Sequence, residues 1–143
     1  MQKLDSLHQV AEFHKTFNAP ILDTPQIPSK ERAALRVSLL QEELDELKKA
    51  IEDNDLVEVA DALCDLQYVL SGAVLEFGLG EKFVELFNEV HRSNMSKACD
   101  NEVQAQETVE FYKAKGTDAY YEKSGDKYNV HRVADNKVLK NKY

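Results

Sequence analysis

The sequence predicts an all-α fold, a bundle of four to five helices with a small β-hairpin appendage near the C-terminal end. Three observations support this prediction. Apolar residues recur at steps of three and four through most of residues 3–97, which is the period of an amphipathic helix. All three prolines lie within residues 18–29, so the long segments around that loop are free to form helices. Short runs rich in tyrosine and valine after residue 118 are typical of strands joined by tight turns.

The first two helices flank the proline-containing loop. The first is predicted over residues 3–17, where apolar side chains share one face. Ser29 is placed to cap the second, which is predicted over residues 30–53. The apolar residues that we expect to form the core stripe of the second helix are Val37, Leu40, Leu44, Leu47 and Ile51.

The third helix is expected to be the central one. Asn54 and Asp55 end the second helix and cap the third, which is predicted over residues 56–77. Because this segment is apolar on almost every face, it should be surrounded by other helices. Gly78 ends it, and a fourth helix is predicted over residues 83–97.

The C-terminal residues differ in character from the bundle. A short fifth helix is predicted over residues 102–113, followed by strands and turns. The predicted strands are residues 119–122, 127–132 and 137–140, with turns at 124–126 and 134–136. We interpret residues 1–143 as one domain, in which residues 1–99 form the helical bundle and residues 100–143 the appendage.

Composition limits the function classes. The 143 residues include 18 Lys and Arg against 26 Asp and Glu, a net charge of −8, which disfavours a duplex nucleic acid or an anionic membrane as partner. No basic segment followed by an apolar run opens the chain, and no apolar stretch approaches the roughly 20 residues of a membrane span, so a soluble, cytoplasmic protein is expected. The two cysteines have no CxxC spacing, so neither a zinc site nor a disulfide framework is indicated.

Five carboxylates on the second and third helices suggest a metal site. Glu43 and Glu46 are one turn apart on a face that is partly apolar. Glu58, Asp61 and Asp65 follow one line down the apolar third helix, which contains no Lys or Arg. Burying such charges costs several kcal/mol each unless a partner cancels them. A hard divalent cation is the partner that best suits clustered carboxylates.

The ligand chemistry narrows the choice of metal. All-oxygen ligation favours Mg²⁺, or Mn²⁺, and Mg²⁺ completes its shell with waters and substrate phosphates, so a polyphosphate is the apt substrate. A di-iron bundle requires Glu three residues before His, which none of the four histidines has. The alternative that these are solvated surface acids applies best to Glu42, Glu52 and Asp53, and least to Glu58 and Asp61.

The same residues resemble a known signature. Glu43-Leu-Asp-Glu46 followed by Glu58-Val-Ala-Asp61 is similar to the ExxE…ExxD pattern of the all-α nucleoside triphosphate pyrophosphohydrolases, which include MazG, dimeric dUTPases, dCTP pyrophosphatases and phosphoribosyl-ATP pyrophosphohydrolase. Residues 89–97 resemble the fourth-helix motif of a MazG-like subgroup that includes bacterial dUTPases, and residues 137–140 resemble its tail. The resemblance is good over residues 30–97.

This resemblance implies a function and a set of site residues. It implies Mg²⁺-dependent hydrolysis of a nucleoside triphosphate, with dUTP as one candidate, to the monophosphate and pyrophosphate. The implied metal ligands are Glu43, Glu46, Glu58 and Asp61, and the implied nucleotide-binding residues are Asn94 and Lys97. We assign Glu46 as the base that accepts the proton of the attacking water. Further candidates for the site are Glu42, Asp65 and Lys137.

Two other functions stay open at this point. One is a phosphoribosyl-ATP pyrophosphohydrolase of histidine biosynthesis, which shares the metal chemistry but takes a larger substrate. The other is a non-catalytic helical interaction protein whose acidic stripe binds a basic partner. Whichever applies, a third helix that is apolar on all faces exceeds what three short helices cover, so we expect a homodimer or homotetramer.

Overall fold

The computed structural model describes all residues, 1–143, and consists of five helices followed by an antiparallel β-hairpin, as the sequence predicts. The helices are α1 (Ser6–Thr16), α2 (Lys30–Glu52), α3 (Leu56–Glu76), α4 (Phe83–Met95) and α5 (Glu102–Ala114), and the strands are β1 (Ala119–Ser124) and β2 (Lys127–Arg132). None of the helices combines the length and apolarity that crossing a membrane requires.

The chain divides into two compact units, residues 1–83 and residues 84–143. The boundary between bundle and appendage that the sequence suggests, at residues 99 and 100, lies inside the second unit. Helix α4 therefore groups with the C-terminal elements rather than with α1 to α3. The interpretation of residues 1–143 as a single domain stays a prediction.

In the first unit, α3 packs against both α1 and α2. The predicted caps of the two long helices are confirmed: the Ser29 hydroxyl accepts a hydrogen bond from Arg32 N, and the Asp55 carboxylate accepts from Val57 N and Glu58 N. Asn54 adopts a positive φ of 55° in the turn between the helices, a conformation that Asn tolerates better than most residues. This tight turn makes α2 and α3 an antiparallel pair.

The loop that carries the prolines lies along the C-terminal end of α3. Leu22 N donates to Leu75 O at 3.1 Å, and Gln26 N donates to Phe77 O at 3.0 Å. Gly78 ends α3 with a φ of +70°, and a Cβ there would lie 1.9 Å from Thr24 O. Only glycine therefore permits this close approach of the loop.

The predicted core stripe of α2 is wrong in part. Val37, Leu44 and Ile51 are 67%, 49% and 60% exposed, whereas Arg36 and Ala50 are buried. The reason is that Arg36 pairs with a carboxylate of α3 and Ala50 is small, so the side of α2 that faces α3 includes a charged residue. The apolar residues at positions 37, 44 and 51 consequently face outward within one chain.

The second unit has its own small core. Cys99, Ala105 and Val130 are fully buried, and the partly buried residues packed against them are Val109, Ala119, Tyr121, Tyr128 and Leu139. Helix α5 packs against both strands. Both cysteines are free: Cys99 lies in this core, while Cys64 is exposed on α3.

The C-terminal tail does not form the third strand that the sequence suggests over residues 137–140. The structure has a single β-bridge there, between His131 and Val138. Beyond it, the Tyr112 hydroxyl donates to Lys140 O at 2.9 Å, so the tail leaves the hairpin and follows α5. Helices α1 and α4 are also shorter than predicted. Helix α1 begins at Ser6 rather than at residue 3, and α4 ends at Met95 rather than at residue 97.

Candidate metal centre

The facing sides of α2 and α3 bring three carboxylates together. Glu43 and Glu46 come from adjacent turns of α2, and Asp65 comes from the middle of α3. One carboxylate oxygen of each lies within 4.8 Å of the others. Glu43 and Asp65 are partly buried, while Glu46 is exposed. We refer to these three residues as the carboxylate cluster.

Glu43 is the least satisfied member of this cluster. Its Oε2 is buried and has no hydrogen-bond partner. Burial raises the pKa of Glu43, and the neighbouring charges of Glu46, Asp65 and Glu42 raise it further. Buried polar atoms are nearly always hydrogen-bonded, so an unpaired carboxylate oxygen among like charges calls for a specific explanation.

Glu58 and Asp61 lie in an adjoining cleft rather than in the tight cluster. This cleft of 260 Å³ is beside the α2–α3 turn, and Glu46 also lines it. Both residues are exposed, contrary to the expectation that the apolar third helix buries them. The first turn of α3 is itself open in one chain, since Leu56 and Val57 are 79% and 76% exposed. Glu46 is thus the carboxylate common to the cluster and the cleft.

Asp65 is the residue that sequence reasoning did not place in the signature. Its spacing puts it on the same face of α3 as Glu58 and Asp61. The spacing does not show how α2 and α3 are aligned. This alignment places Asp65, rather than Glu58, opposite Glu43. Only the packed helix pair provides this information.

The remaining candidates lie elsewhere. Glu42 is exposed and lines an open groove along α2. Its negative charge contributes to raising the pKa of Glu43. In the second unit, Lys97 Nζ donates to Asn94 Oδ1 at 2.9 Å, so these two side chains are together. Lys137 is exposed in the tail. The contacts of Asn94, Lys97 and Lys137 with a nucleotide stay predictions.

At the other end of the helix pair lies a buried ion-pair cluster that sequence reasoning missed. Glu76, which is 1% exposed, accepts hydrogen bonds from Arg32 and Arg36 of α2. Burial raises the pKa of Glu76, but the hydrogen bonds from the two guanidinium groups outweigh it and hold the pKa below its usual range. We refer to Arg32, Arg36 and Glu76 as the ion-pair clamp.

The carboxylate cluster fits a hard divalent cation. Its donors are all carboxylate oxygens, which Mg²⁺ and Mn²⁺ prefer over the softer metals. No Lys or Arg side chain forms an ion pair with Glu43, Glu46 or Asp65. A cation would satisfy the unpaired Glu43 oxygen and cancel the repulsion among the three groups.

Comparison with known families agrees with this geometry. Residues 10–94 match the sequence model of the phosphoribosyl-ATP pyrophosphohydrolase family. The chain belongs to this family. Phosphoribosyl-ATP pyrophosphohydrolases are all-α nucleoside triphosphate pyrophosphohydrolases, so the superfamily resemblance of the sequence is confirmed. Membership implies hydrolysis of a phosphoanhydride, and enzymes of the family generally depend on divalent metal.

The matched residues cover one part of the candidate site and not the other. All five carboxylates of α2 and α3 lie well inside residues 10–94, and Asn94 is the last matched residue. Lys97 and Lys137 lie outside. The family match therefore includes the segment that carries the carboxylates and excludes the two lysines.

The chain is also similar to a viral protein. It is 24% identical, over an alignment of 233 residues, to the uncharacterized protein L479 of Acanthamoeba polyphaga mimivirus, and the alignment covers 99% of this chain and 93% of the viral protein. Because the alignment is longer than this chain, the viral protein contains substantial insertions relative to this phosphoribosyl-ATP pyrophosphohydrolase family member.

Proposed function

We propose that this protein is a Mg²⁺-dependent nucleoside triphosphate pyrophosphohydrolase that converts a (deoxy)nucleoside triphosphate, with dUTP as the first candidate, to the monophosphate and pyrophosphate. The observation that carries the proposal is the carboxylate cluster with its buried, unpartnered Glu43 oxygen. A protein with a net charge of −8 attracts a polyphosphate only where bound cations reverse the local sign of the field.

The residue roles follow from position and exposure. Glu43, Glu46, Glu58 and Asp61 are the proposed metal ligands, and the geometry supports adding Asp65. When bound, Mg²⁺ neutralises phosphate charge and lowers the pKa of a coordinated water. Glu46 is exposed and borders both the cluster and the cleft, so water can reach it. It is the proposed base that accepts the proton of the attacking water.

The proposed contacts with the substrate outside the metal centre come from Asn94 and Lys97. Lys97 is a cation held in place by its hydrogen bond to the Asn94 side chain. A lysine ammonium is a suitable partner for phosphate oxygens, and an amide can both donate to and accept from a base or sugar. Lys137 is a further candidate for this role.

A second candidate substrate is phosphoribosyl-ATP. It is favoured by the family match, because the matched family is named for that reaction. The same carboxylates would serve both substrates, since each reaction breaks a phosphoanhydride. A panel of dUTP, dCTP, the other nucleoside triphosphates and phosphoribosyl-ATP, assayed for pyrophosphate release with Mg²⁺, separates the two.

We also propose that the protein is a homodimer or homotetramer and that it is cytoplasmic. Support for an assembly comes from apolar side chains that α2 and α3 expose in one chain. These residues include Val37, Leu44, Ile51, Leu56, Val57 and Leu63. Such patches on a soluble domain commonly mark interfaces. Light scattering that gives a monomer mass at micromolar concentration would contradict the assembly.

The direct test of the function is Glu58→Gln, which keeps the shape of the side chain and removes its charge. We expect this variant to fold like the wild type and to lose pyrophosphate release. The matched control is Glu52→Gln, an exposed glutamate at the end of α2, which should retain activity. Wild-type turnover by Glu58→Gln would exclude Glu58 from the site. Calorimetry without saturable Mg²⁺ or Mn²⁺ binding would instead favour the non-catalytic interaction protein.

A further inference from the structure

The ion-pair clamp is the principal charged contact between α2 and α3 other than the carboxylate cluster. Glu76 is almost fully buried, and Arg36 is 7% exposed, so their interaction is shielded from solvent. Arg36 donates one hydrogen bond to Glu76, and Arg32 donates two more, from Nε to Oε1 and from Nη2 to Oε2 at 3.1 Å. One carboxylate of α3 is therefore held by two residues one turn apart on α2, which fixes both the rotation and the sliding of the two helices.

The clamp and the carboxylate cluster both lie where α2 and α3 face each other. Arg36 sits opposite Gly72, where an added Cβ would be 2.8 Å from Arg36 Nη1. Seven residues further along α2 is Glu43, and seven residues back along α3 from Gly72 is Asp65. Seven residues are about two helical turns, so each helix presents clamp and cluster on one face, about 10 Å apart along the axis.

Without a cation, the carboxylate cluster pushes the helices apart. Glu43 and Glu46 on α2 and Asp65 on α3 carry the same charge and lie within 4.8 Å of one another. Like charges at this distance repel, and the repulsion is strongest where Glu43 is shielded from water. Something else must keep α2 and α3 aligned while the metal is absent.

We propose that the ion-pair clamp is a positioning device for the metal centre: Arg32, Arg36 and Glu76 hold α2 in register on α3, so that Glu43 and Glu46 stay opposite Asp65. This inference rests on the proposed function, because it assumes that the carboxylate cluster binds the metal. The clamp residues are positioning residues and do not touch the metal. A buried polar group that specifies the register between helices is known from coiled coils.

The test separates alignment from stability. In the double variant Arg36→Met with Glu76→Leu, apolar side chains of similar size replace the buried ion pair, and Arg32, whose side chain is 37% exposed, keeps its access to water. Such replacements often leave the stability unchanged or increase it. We expect the melting temperature without metal to equal or exceed that of the wild type. We expect Mn²⁺ affinity, measured by calorimetry and by electron paramagnetic resonance, to fall about 10-fold or more, as it does when groups around a metal site are altered.

The matched control replaces an exposed ion pair of the second unit, in the double variant Lys127→Met with Asp100→Leu. Lys127 Nζ lies 2.5 Å from Asp100 Oδ1, and both side chains are well exposed. This control should bind Mn²⁺ like the wild type. A clamp variant that folds and also binds Mn²⁺ as tightly as the wild type would overturn the positioning role while leaving the proposed function intact.

A second variant keeps the test decisive if the double variant does not fold. In Gly72→Ala the added Cβ would lie 2.8 Å from Arg36 Nη1 and 3.1 Å from His14 Nε2, so the Arg36 guanidinium must shift while both charges of the clamp are retained. We expect weaker Mn²⁺ binding in this variant, in the same direction as the double variant, with no loss of helix content. Unchanged Mn²⁺ affinity in Gly72→Ala would overturn the inference. Wild-type protein that binds no Mn²⁺ and releases no pyrophosphate would overturn the proposed function as well.

Discussion

Two positions along the α2–α3 pair differ in how their buried carboxylates are compensated. At the C-terminal end of α3, Glu76 is buried between two arginines, which hold its pKa below the usual range. In the middle of the pair, Glu43 has a buried oxygen without a partner, and burial together with neighbouring carboxylates raises its pKa. The same helix pair therefore contains one charge that is fully compensated and one that is not.

This difference indicates which carboxylate is satisfied within the chain and which has capacity for a ligand. A buried carboxylate between guanidinium groups is complete within the chain, so it has no capacity for a further ligand. A buried carboxylate among like charges is stabilised by a proton, as the raised pKa of Glu43 indicates, or by a cation from outside. This difference supports the proposed roles, alignment for the clamp and metal binding for the carboxylate cluster.

The largest effect is expected for the proposed base. Glu46→Gln should lower kcat for pyrophosphate release by about 10²- to 10⁴-fold, which is the usual contribution of general base catalysis, while leaving the fold unchanged. Steady-state kinetics measure this, with Asp45→Asn as the control on the next residue, whose side chain is exposed and accepts from Gln41. Equal losses in both variants would show that position 46 has no special role.

At the clamp, stability rather than chemistry should respond first. Glu76→Gln leaves the buried Arg36 guanidinium without its counter-charge, and breaking a buried pair in this way typically costs about 3–5 kcal/mol. Urea denaturation of the metal-free protein measures the free energy of unfolding. For comparison, Lys49→Met breaks the exposed pair with Asp53 and should cost far less, because solvent screens an exposed pair. A similar cost for the two variants would contradict the asymmetry between buried and exposed pairs.

A smaller effect, of opposite sign, is expected at Glu43. Because its pKa is raised in the folded chain, the folded state retains a proton that the unfolded state gives up. The metal-free protein should therefore lose stability as the pH rises from the usual glutamate range through the raised pKa. Glu43→Gln should remove this loss and increase the stability of the metal-free protein above that pH.

Thermal unfolding across pH, with and without Mn²⁺, checks this expectation. Mn²⁺ should raise the melting temperature of the wild type, because a ligand that binds only the folded state stabilises it. Glu43→Gln should show a reduced increase with Mn²⁺. The clamp has the reverse pH dependence: the contribution of Glu76 is present above the usual glutamate range and is lost as the pH falls through its lowered pKa. A Glu43→Gln variant that is less stable than the wild type without metal would contradict this account.

The elements of the fold could largely be predicted from the sequence, because local signals determine them. Ser29 and Asp55 cap α2 and α3 as expected, and Gly78 ends α3 at a positive φ. The direction of the α2 side chains could not be predicted. Periodicity suggested that Val37 and Leu44 face the core, but the buried Arg36 turns another face of the helix toward α3.

In the candidate site, too, local features could be predicted from the sequence, whereas contacts between helices could not. The spacing of Glu43 and Glu46 was informative because both lie on one helix. The partner of Glu43 on α3 depends on how the two helices align, and the structure pairs it with Asp65 while leaving Glu58 and Asp61 in the adjoining cleft. The clamp was missed because Arg32 and Glu76 are 44 residues apart, and no local pattern links them.

Glu43, Glu46 and Asp65 are the proposed ligands of one metal centre. The most direct measurement is a crystal structure of the wild-type protein soaked with Mn²⁺, with data collected at a wavelength where manganese scatters anomalously. We predict an anomalous peak within coordination distance of carboxylate oxygens from both α2 and α3, including Glu43 and Asp65. An anomalous map without a peak between these two helices, at a Mn²⁺ concentration that supports pyrophosphate release, would contradict the account.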